Sequence, residues 1–197
     1  MSKLVLASNN AKKAAELSSL LAPLGLEVIS QAEFQVPEAG EPYATFVENA
    51  IAKARHASQH TGLPALADDS GLCVFALGGA PGVQSARFAG DPRSDERNNE
   101  LLLSRMADCD DRQAFFSCTL VLLRHADDPQ PLIADGQWGG EILHAPRGEN
   151  GFGYDPLFLL PEMGQTAAEL DAALKNTLSH RAQAMRHLLA RLEATPL

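Results

Sequence analysis

Short apolar runs alternate with longer amphipathic segments along most of the chain, and this alternation is typical of an α/β protein. The apolar run at residues 4–7 predicts a buried strand, and the leucines that follow at helical spacing predict a helix that stops at Gly25. Residues 27–30 predict a second strand. Thr45-Phe-Val-Glu48 has the residues of a capping box and predicts a helix that runs to about Gly62.

The remainder of the chain continues this alternation of strands and helices. The predicted elements are strands at residues 72–77, 115–124, 132–134 and 141–143, and helices that begin near Ser94, Thr166 and Ser179. An acidic turn is predicted just before the strand at 72–77. Interleaved strands and helices favour an α/β layer fold, and 197 residues fit a single domain over residues 1–197.

Composition and charge narrow the classes of function. Apolar residues make up 45% of the chain and charged residues 21%, as in ordinary globular proteins. A net charge of -9 argues against sequence-independent binding of nucleic acid, which requires a basic face. The three cysteines are odd in number and lack metal-ligand spacing, which predicts reduced thiols. We find neither a signal peptide nor a membrane span, so the sequence predicts a cytoplasmic protein.

The segment Ser8-Asn9-Asn10-Ala11-Lys12-Lys13 lies where the first predicted strand turns into a helix. The first N–H groups of a helix have no partner within the helix, and its dipole places positive charge behind them, so this turn is a candidate anion site. It is not a P-loop, because the GxxxxGK[ST] pattern is absent. The alternative is that Asn10 caps a surface helix that carries two solvated lysines.

Two adjacent carboxylates, Asp68 and Asp69, stand between apolar runs. A turn that uses Asp-Ser-Gly chemistry needs one aspartate, whereas a divalent cation such as Mg²⁺ would explain both. Glu48 is explained by its capping box and is not counted as a ligand. Glu41, in a loop between glycine and proline, has no such structural explanation, although an exposed loop glutamate is also ordinary.

A glycine-rich segment at residues 148–156 carries Phe152 and Asp155. Its glycines would let the backbone approach a ligand closely, with the ring of Phe152 as a flat contact and Asp155 as an acceptor for a base N–H. The alternative is a glycine-rich loop whose phenylalanine packs into the core. Further along, Lys175 precedes the last predicted helix, and His180 with Arg181 lies in its first turn. Basic residues oppose the dipole there, which suggests an anionic or oxygen-rich ligand or a nearby carboxylate.

The order of these segments resembles one known family. LASNNAKKAAEL, TFVENAIAKA, ADDSGL, LGGAPGVQSARFAG, GFGYDP, TAAEL and SHRAQA follow one another over nearly the whole chain, as in the inosine triphosphate pyrophosphatase family. The resemblance implies a long central mixed sheet flanked by helices, two lobes around a substrate cleft, and a homodimer. It also implies Mg²⁺-dependent hydrolysis of ITP, dITP and XTP to the monophosphate and pyrophosphate.

The resemblance also assigns roles to individual residues. It implies that Asp69 is the proton acceptor and a metal contact, and that Glu41 is a second metal contact. The implied substrate contacts are the phosphate turn of Ser8, Asn9, Asn10, Ala11, Lys12 and Lys13, the neighbouring Ser70, the base loop of Phe152, Gly153, Tyr154 and Asp155, and the further base contacts Lys175, His180 and Arg181.

Three departures from the family pattern, at Asn9, Phe75 and Gln84, and two rival functions stay open at this point. The family often has aspartate where this chain has Phe75 and tyrosine where it has Gln84. The family has glycine where this chain has Asn9, so the first turn would lose glycine's freedom at positive φ and could shift. One rival is a nucleotide-binding sensor that does not hydrolyse its ligand, which loss of the acidic residues would have favoured. The other is an unrelated phosphotransferase, against which the absent P-loop argues.

Overall fold

The computed structural model describes residues 3–22 and 25–194. The strands are β1 Lys3–Leu6, β2 Glu27–Ser30, β3 Ala65–Val74, β4 Gln113–Leu123, β5 Leu132–Ile142, β6 Phe158–Leu160 and β7 Gln165–Thr166. The helices are α1 Ala11–Leu21, α2 Phe46–Thr61, α3 Asp95–Arg105, α4 Ala172–Leu178 and α5 His180–Ala194. Short 3₁₀ turns connect several of them.

The strands of the described residues form one mixed sheet in the order β2-β1-β3-β4-β5-β6-β7. β1 pairs in parallel with β2, where Val5 lies opposite Ile29, and with β3, where Val5 lies opposite Ala65. β6 pairs in antiparallel fashion with β5 on one side and with β7 on the other. The predicted α/β architecture with a mixed sheet is therefore confirmed.

The chain divides into two compact units. Unit 1 consists of Met1–Asp69, Cys118–Gly136 and Arg181–Leu197, and unit 2 consists of Ser70–Ser117 and Gln137–His180. The single domain expected from the sequence stays a prediction.

In unit 1, alternate residues of each strand pack against helices on opposite faces of the sheet. Leu4, Leu6 and Leu66 pack with the leucines of α1 and α5, whereas Val5 and Ala65 pack with the alanines of α2. This follows from the period of two along a strand, and because both faces are covered, the strands read as unbroken apolar runs. The small residues on α2 let this helix lie close to the sheet.

Unit 2 has an aromatic core. The ring centroids of Phe116 and Phe158 are 4.5 Å apart, and those of Trp138 and Phe158 are 5.7 Å apart. Leu102 and Met106 of α3 pack against the same cluster and are fully buried. This core anchors α3.

Two of the predicted helix starts are confirmed in detail. Thr45 is the N-cap of α2 and accepts a hydrogen bond from the Glu48 N–H, and Ser94 is the N-cap of α3. The last helix begins at His180, directly after Ser179 as predicted. The sequence missed α4, so Lys175 lies within a short helix rather than before one.

Three local predictions were wrong. The acidic turn does not exist, because Asp68 and Asp69 lie within the continuous strand β3. The two strands predicted at residues 132–134 and 141–143 are a single strand, β5. Thr166 begins no helix; its hydroxyl donates to the Arg147 carbonyl at 2.8 Å, and Glu169 accepts from the Thr166 N–H at 2.7 Å, so the motif closes a turn.

The remaining sequence expectations concern the cysteines and the membrane. All three cysteines are free thiols, as predicted. Within residues 3–22 and 25–194, no helix combines the length and the apolar character needed to cross a membrane.

Candidate active site

The acidic pair lies on β3 in unit 1, and both carboxylates are buried. Because successive side chains of a strand point to opposite faces, Asp68 follows Leu66 toward α5, whereas Asp69 follows Ala67 toward α2. Arg181 of α5 accordingly lies 3.6 Å from Asp68, between Nε and Oδ2. The two carboxylates therefore have different partners, although they are adjacent in sequence.

Lys53 of α2 joins the two acids that the resemblance assigned to the metal. Its Nζ lies 3.0 Å from Asp69 Oδ1 and 2.8 Å from Glu41 Oε1. Burial alone would lower the pKa of Lys53, but the charges of Asp68, Asp69 and Glu41 outweigh it and raise that pKa. Lys53 is therefore a fixed positive charge at the point where two carboxylates converge.

Asn49, one helical turn before Lys53, holds the other oxygen of Asp69. Its Nδ2 donates to Asp69 Oδ2 at 3.3 Å, and its amide also bonds the backbone of Tyr43 in both directions, at 3.1 and 3.2 Å. Asn49 thus ties the loop that carries Glu41 to strand β3. The sequence analysis missed Asn49 and Lys53, although their spacing of four on a capped helix places both on one face.

The predicted phosphate turn has a defined geometry at its start. Ser8 Oγ accepts from the Asn10 N–H at 3.2 Å, and α1 begins at the exposed Ala11. Asn9 Oδ1 accepts from the Nε2 of the buried Gln31 at 2.7 Å. The side chains of the other two predicted contacts, Lys12 and Lys13, lie outside what the structure describes.

Asn9 does not adopt the backbone conformation that its replacement of glycine put in question. Among the described residues, Gln35 is the non-glycine residue with positive φ. Asn9 therefore keeps a negative φ, and its side chain connects the turn to Gln31 by a hydrogen bond.

In unit 2, the predicted base loop is built around Asp155. The Phe152 N–H donates to Asp155 Oδ2 at 2.8 Å, and Lys175 Nζ donates to the same oxygen at 2.6 Å. Lys175 Nζ also lies 5.1 Å from the centroid of the Phe152 ring. A side chain at Gly151 would displace Asp155, because a Cβ there would lie 2.1 Å from Asp155 Oδ2. The loop and α4 thus bring a ring, a donor and an acceptor together.

The other predicted contacts are distributed over both units. His180 belongs to unit 2, where its ring stacks on Phe116 at 4.9 Å and an interplanar angle of 13°. Arg181, the next residue, belongs to unit 1 with Asp68. Ser70 directly follows Asp69 on β3 and is half-buried. The roles that the resemblance gave these residues stay predictions.

Within the part of the chain that the structure describes, no group of three or more His, Cys, Asp or Glu side chains is arranged to hold a metal ion. Glu41 and Asp69 both contact Lys53 Nζ and therefore lie close to each other. Two carboxylates together with substrate oxygens are a sufficient ligand set for Mg²⁺. The donor chemistry therefore fits a hard divalent cation.

We predict that Lys53→Met destabilises the protein by about 1–3 kcal/mol at pH 8, because it leaves the buried Asp69 and the partly buried Glu41 without their cation. In the variant, protonation of a carboxyl group relieves the repulsion, so the deficit should shrink as the pH falls from 8 to 5. In the wild type, the raised pKa of Lys53 keeps its contribution constant over this range. Urea unfolding at several pH values measures both effects.

Lys3→Met is the matched control, because Lys3 is exposed and its carboxylate neighbour, Glu27, is 3.9 Å away. It should change the free energy of unfolding little at any pH. A Lys53→Met deficit that is equally large at pH 5 and pH 8 would contradict the account of the acidic cluster.

Comparison with known proteins places these features in one family. A sequence model of the Ham1 family matches residues 4–191. The dITP/XTP pyrophosphatase of Aromatoleum aromaticum is 73% identical over 99% of this chain and 98% of its own length, and that of Ralstonia nicotianae is 63% identical over 98% and 97%. The solved structure of a HAM1 protein from Coxiella burnetii has a TM-score of 0.93 at 51% identity, covering 99% of this chain and 100% of that one. The chain belongs to the Ham1 family.

Proposed function

We propose that this protein hydrolyses non-standard purine nucleoside triphosphates, namely ITP, dITP and XTP, to the monophosphate and pyrophosphate. The observation that carries the proposal is the Glu41–Lys53–Asp69 cluster, of which Asp69 is buried and the other two are partly buried, in a chain 73% identical to a relative named dITP/XTP pyrophosphatase. Converging carboxylates and a fixed cation are suited to hydrolysis of a phosphoanhydride, since negative charge develops on the leaving group.

In this mechanism, Asp69 is the general base. Lys53 holds one of its carboxylate oxygens and Asn49 the other, so the group has little rotational freedom and can orient an attacking water. The water's proton passes to Asp69 as the new P–O bond forms, and the bond between the α- and β-phosphates breaks. The fixed charge of Lys53 favours the anionic products.

A divalent cation, Mg²⁺ in our proposal, would be held by Glu41 and Asp69. When bound, such an ion supplies positive charge to phosphate oxygens. Asp68 is one strand position away and paired with Arg181, so we assign it to the electrostatics of the cluster rather than to the metal.

The phosphates are assigned to the start of α1. The N–H groups after Ser8 and the helix dipole would favour an anion, and Lys12 and Lys13 add charge. Ser70 is assigned as a neighbouring substrate contact because it directly follows Asp69 on β3.

The base is assigned to the Phe152–Asp155 loop, with Gly153 and Tyr154 as its backbone. Lys175 and Asp155 are a donor and an acceptor side by side. This order matches the 6-oxo group and N1–H of hypoxanthine and xanthine, whereas adenine presents the opposite order of a 6-amino donor and an N1 acceptor. We keep His180 and Arg181 as further predicted base contacts. A homodimer and a cytoplasmic location also remain predictions.

The direct test is product analysis with dITP and Mg²⁺. Equal amounts of pyrophosphate and deoxyinosine monophosphate are expected, without orthophosphate. Release of orthophosphate would mean cleavage at the γ-phosphate and would overturn the proposal. Binding of dITP without any product would indicate a sensor.

We expect Asp69→Asn to lower turnover of dITP by about 10²-fold or more, since a positioned general base is worth that much. Asp68→Asn should lower turnover less, because Asp68 contacts Arg181 on the other face of β3. Steady-state kinetics, with circular dichroism as a check of folding, compare the two isosteric variants. Wild-type turnover in Asp69→Asn would refute its role as base.

Lys175→Ala should relax discrimination against ATP more than discrimination against GTP, because guanine shares the 6-oxo group and N1–H with hypoxanthine. Hydrogen-bonding sites can reject the wrong partner by about 10⁴-fold or more, since buried groups are left unpaired. The measurement is kcat/KM for ITP, ATP and GTP. A variant that gained GTP hydrolysis while still refusing ATP would contradict this arrangement of the pocket.

A further inference from the structure

We propose that Asp95 and Asn99 of α3 are positioning residues that clamp the base loop through Gly153 and thereby set discrimination among purines. This inference rests on the proposed function, because it takes residues 152–155 as the contact to the base. Neither residue is expected to touch the substrate; both act on the loop that does.

The clamp consists of two hydrogen bonds to a single residue. The Gly153 N–H donates to Asp95 Oδ2 at 2.7 Å, and Asn99 Nδ2 donates to the Gly153 carbonyl at 2.9 Å. Asp95 and Asn99 are four apart on α3 and therefore lie on the same face of the helix. Both backbone polar groups of Gly153 are thus held by one rigid element, which the core of unit 2 anchors.

The backbone conformation of Gly153 determines how Phe152 and Tyr154 are placed relative to each other. Its φ is +62°, a conformation that glycine adopts readily, and the Asp155 N–H donates to the Phe152 carbonyl at 3.3 Å across this turn. Two residues on, Asp155 bonds the Phe152 N–H and Lys175. A shift of Gly153 would therefore move the ring and the donor–acceptor pair relative to each other, which is the geometry that reads the base.

The side-chain amide of Asn99 is oriented by its hydrogen bond to the base loop. Among the described residues, Asn99 Oδ1 is a buried acceptor without a hydrogen-bond partner, although its amide nitrogen bonds the Gly153 carbonyl. Buried polar atoms usually have a hydrogen-bond partner. Asn99 therefore leaves its oxygen without one while its nitrogen keeps the hydrogen bond to the Gly153 carbonyl.

A separate anchor on the same helix holds the fold of unit 2. Asn98 donates to the carbonyls of Ser85 and Ala86, and it accepts from the Ala89 N–H at 2.8 Å. Tyr154 donates its hydroxyl to the same Ser85 carbonyl at 2.7 Å, and burial, with a smaller effect of the charge of Asp95, raises the pKa of Tyr154. Asn98 therefore stabilises the packing of unit 2, whereas Asp95 and Asn99 hold the base loop.

The test compares alanine variants of the clamp with a conservative rescue. Asp95→Ala and Asn99→Ala should each raise KM for ITP about tenfold, the effect of one well-placed hydrogen bond, with kcat near wild type. The ratio of kcat/KM for ITP to that for ATP should fall in both. Asp95→Asn keeps an acceptor oxygen at this position and should restore both values.

Two neighbours on α3 are the controls. Glu96→Ala, at an exposed position, should change nothing. Asn98→Ala should lower Tm without changing the ratio of ITP to ATP. Clamp variants that lower Tm like Asn98→Ala but keep the wild-type ratio would overturn the proposal and leave a structural role only.

Hydrogen exchange separates the clamp from the proposed function. In the absence of nucleotide, the amides of residues 151–155 should exchange faster in Asp95→Ala and Asn99→Ala than in the wild type. A wild-type enzyme inactive on ITP would overturn the proposed function, and unchanged exchange in the variants would overturn the clamp itself.

Discussion

The candidate active site depends on the ionic contact of Lys53 with Glu41 and Asp69. Buried charges are costly unless each has a partner, and here one ammonium group serves two carboxylates from different parts of unit 1. The contact therefore constrains three elements: the loop that carries Glu41, helix α2 and strand β3. Removal of the cation would leave a site of one charge sign, which the fold could tolerate only by protonation or local opening.

Helix α2 is placed so that this contact forms. Its start is fixed by the Thr45 cap, and its alanines pack on the sheet, which sets the rotation of the helix about its axis. That rotation brings Asn49 and Lys53, one turn apart, to the two oxygens of Asp69. Capping and small-residue packing are thus the local causes of the geometry of the candidate site. In unit 2, α3 holds Gly153 in a comparable way.

Features that depend on interactions between neighbours in the sequence could be predicted, whereas features that depend on partners far apart in the sequence could not. Caps at Thr45 and Ser94 and the first strand are local, and their patterns predicted them correctly. Asp68 and Asp69 were taken for a turn because Asp-Ser-Gly suits turns, whereas long-range partners allow them to stay within a strand.

The partners themselves were harder to find than the acids. A lysine and an asparagine on an amphipathic helix read as solvent-facing, so Lys53 and Asn49 gave no signal apart from their spacing. The pairing of Asp155 with Lys175 joins residues twenty positions apart, which no periodicity encodes. The residues that the resemblance assigns to chemistry could be predicted from the sequence. The residues that hold them in place, such as Lys53 and Asn49, were found only in the structure.

The central claim is that Glu41 and Asp69 together form the metal-binding half of the site. The most direct measurement is binding of Mn²⁺, as a paramagnetic substitute for Mg²⁺, followed by electron paramagnetic resonance in the presence of an α,β-methylene analogue of dITP that cannot be hydrolysed. Glu41→Gln and Asp69→Asn should each weaken Mn²⁺ binding about tenfold or more, since each removes one of two charged ligands. Glu193→Gln, at an exposed position on α5, should bind like the wild type. Wild-type affinity for Mn²⁺ in both ligand variants would contradict the account.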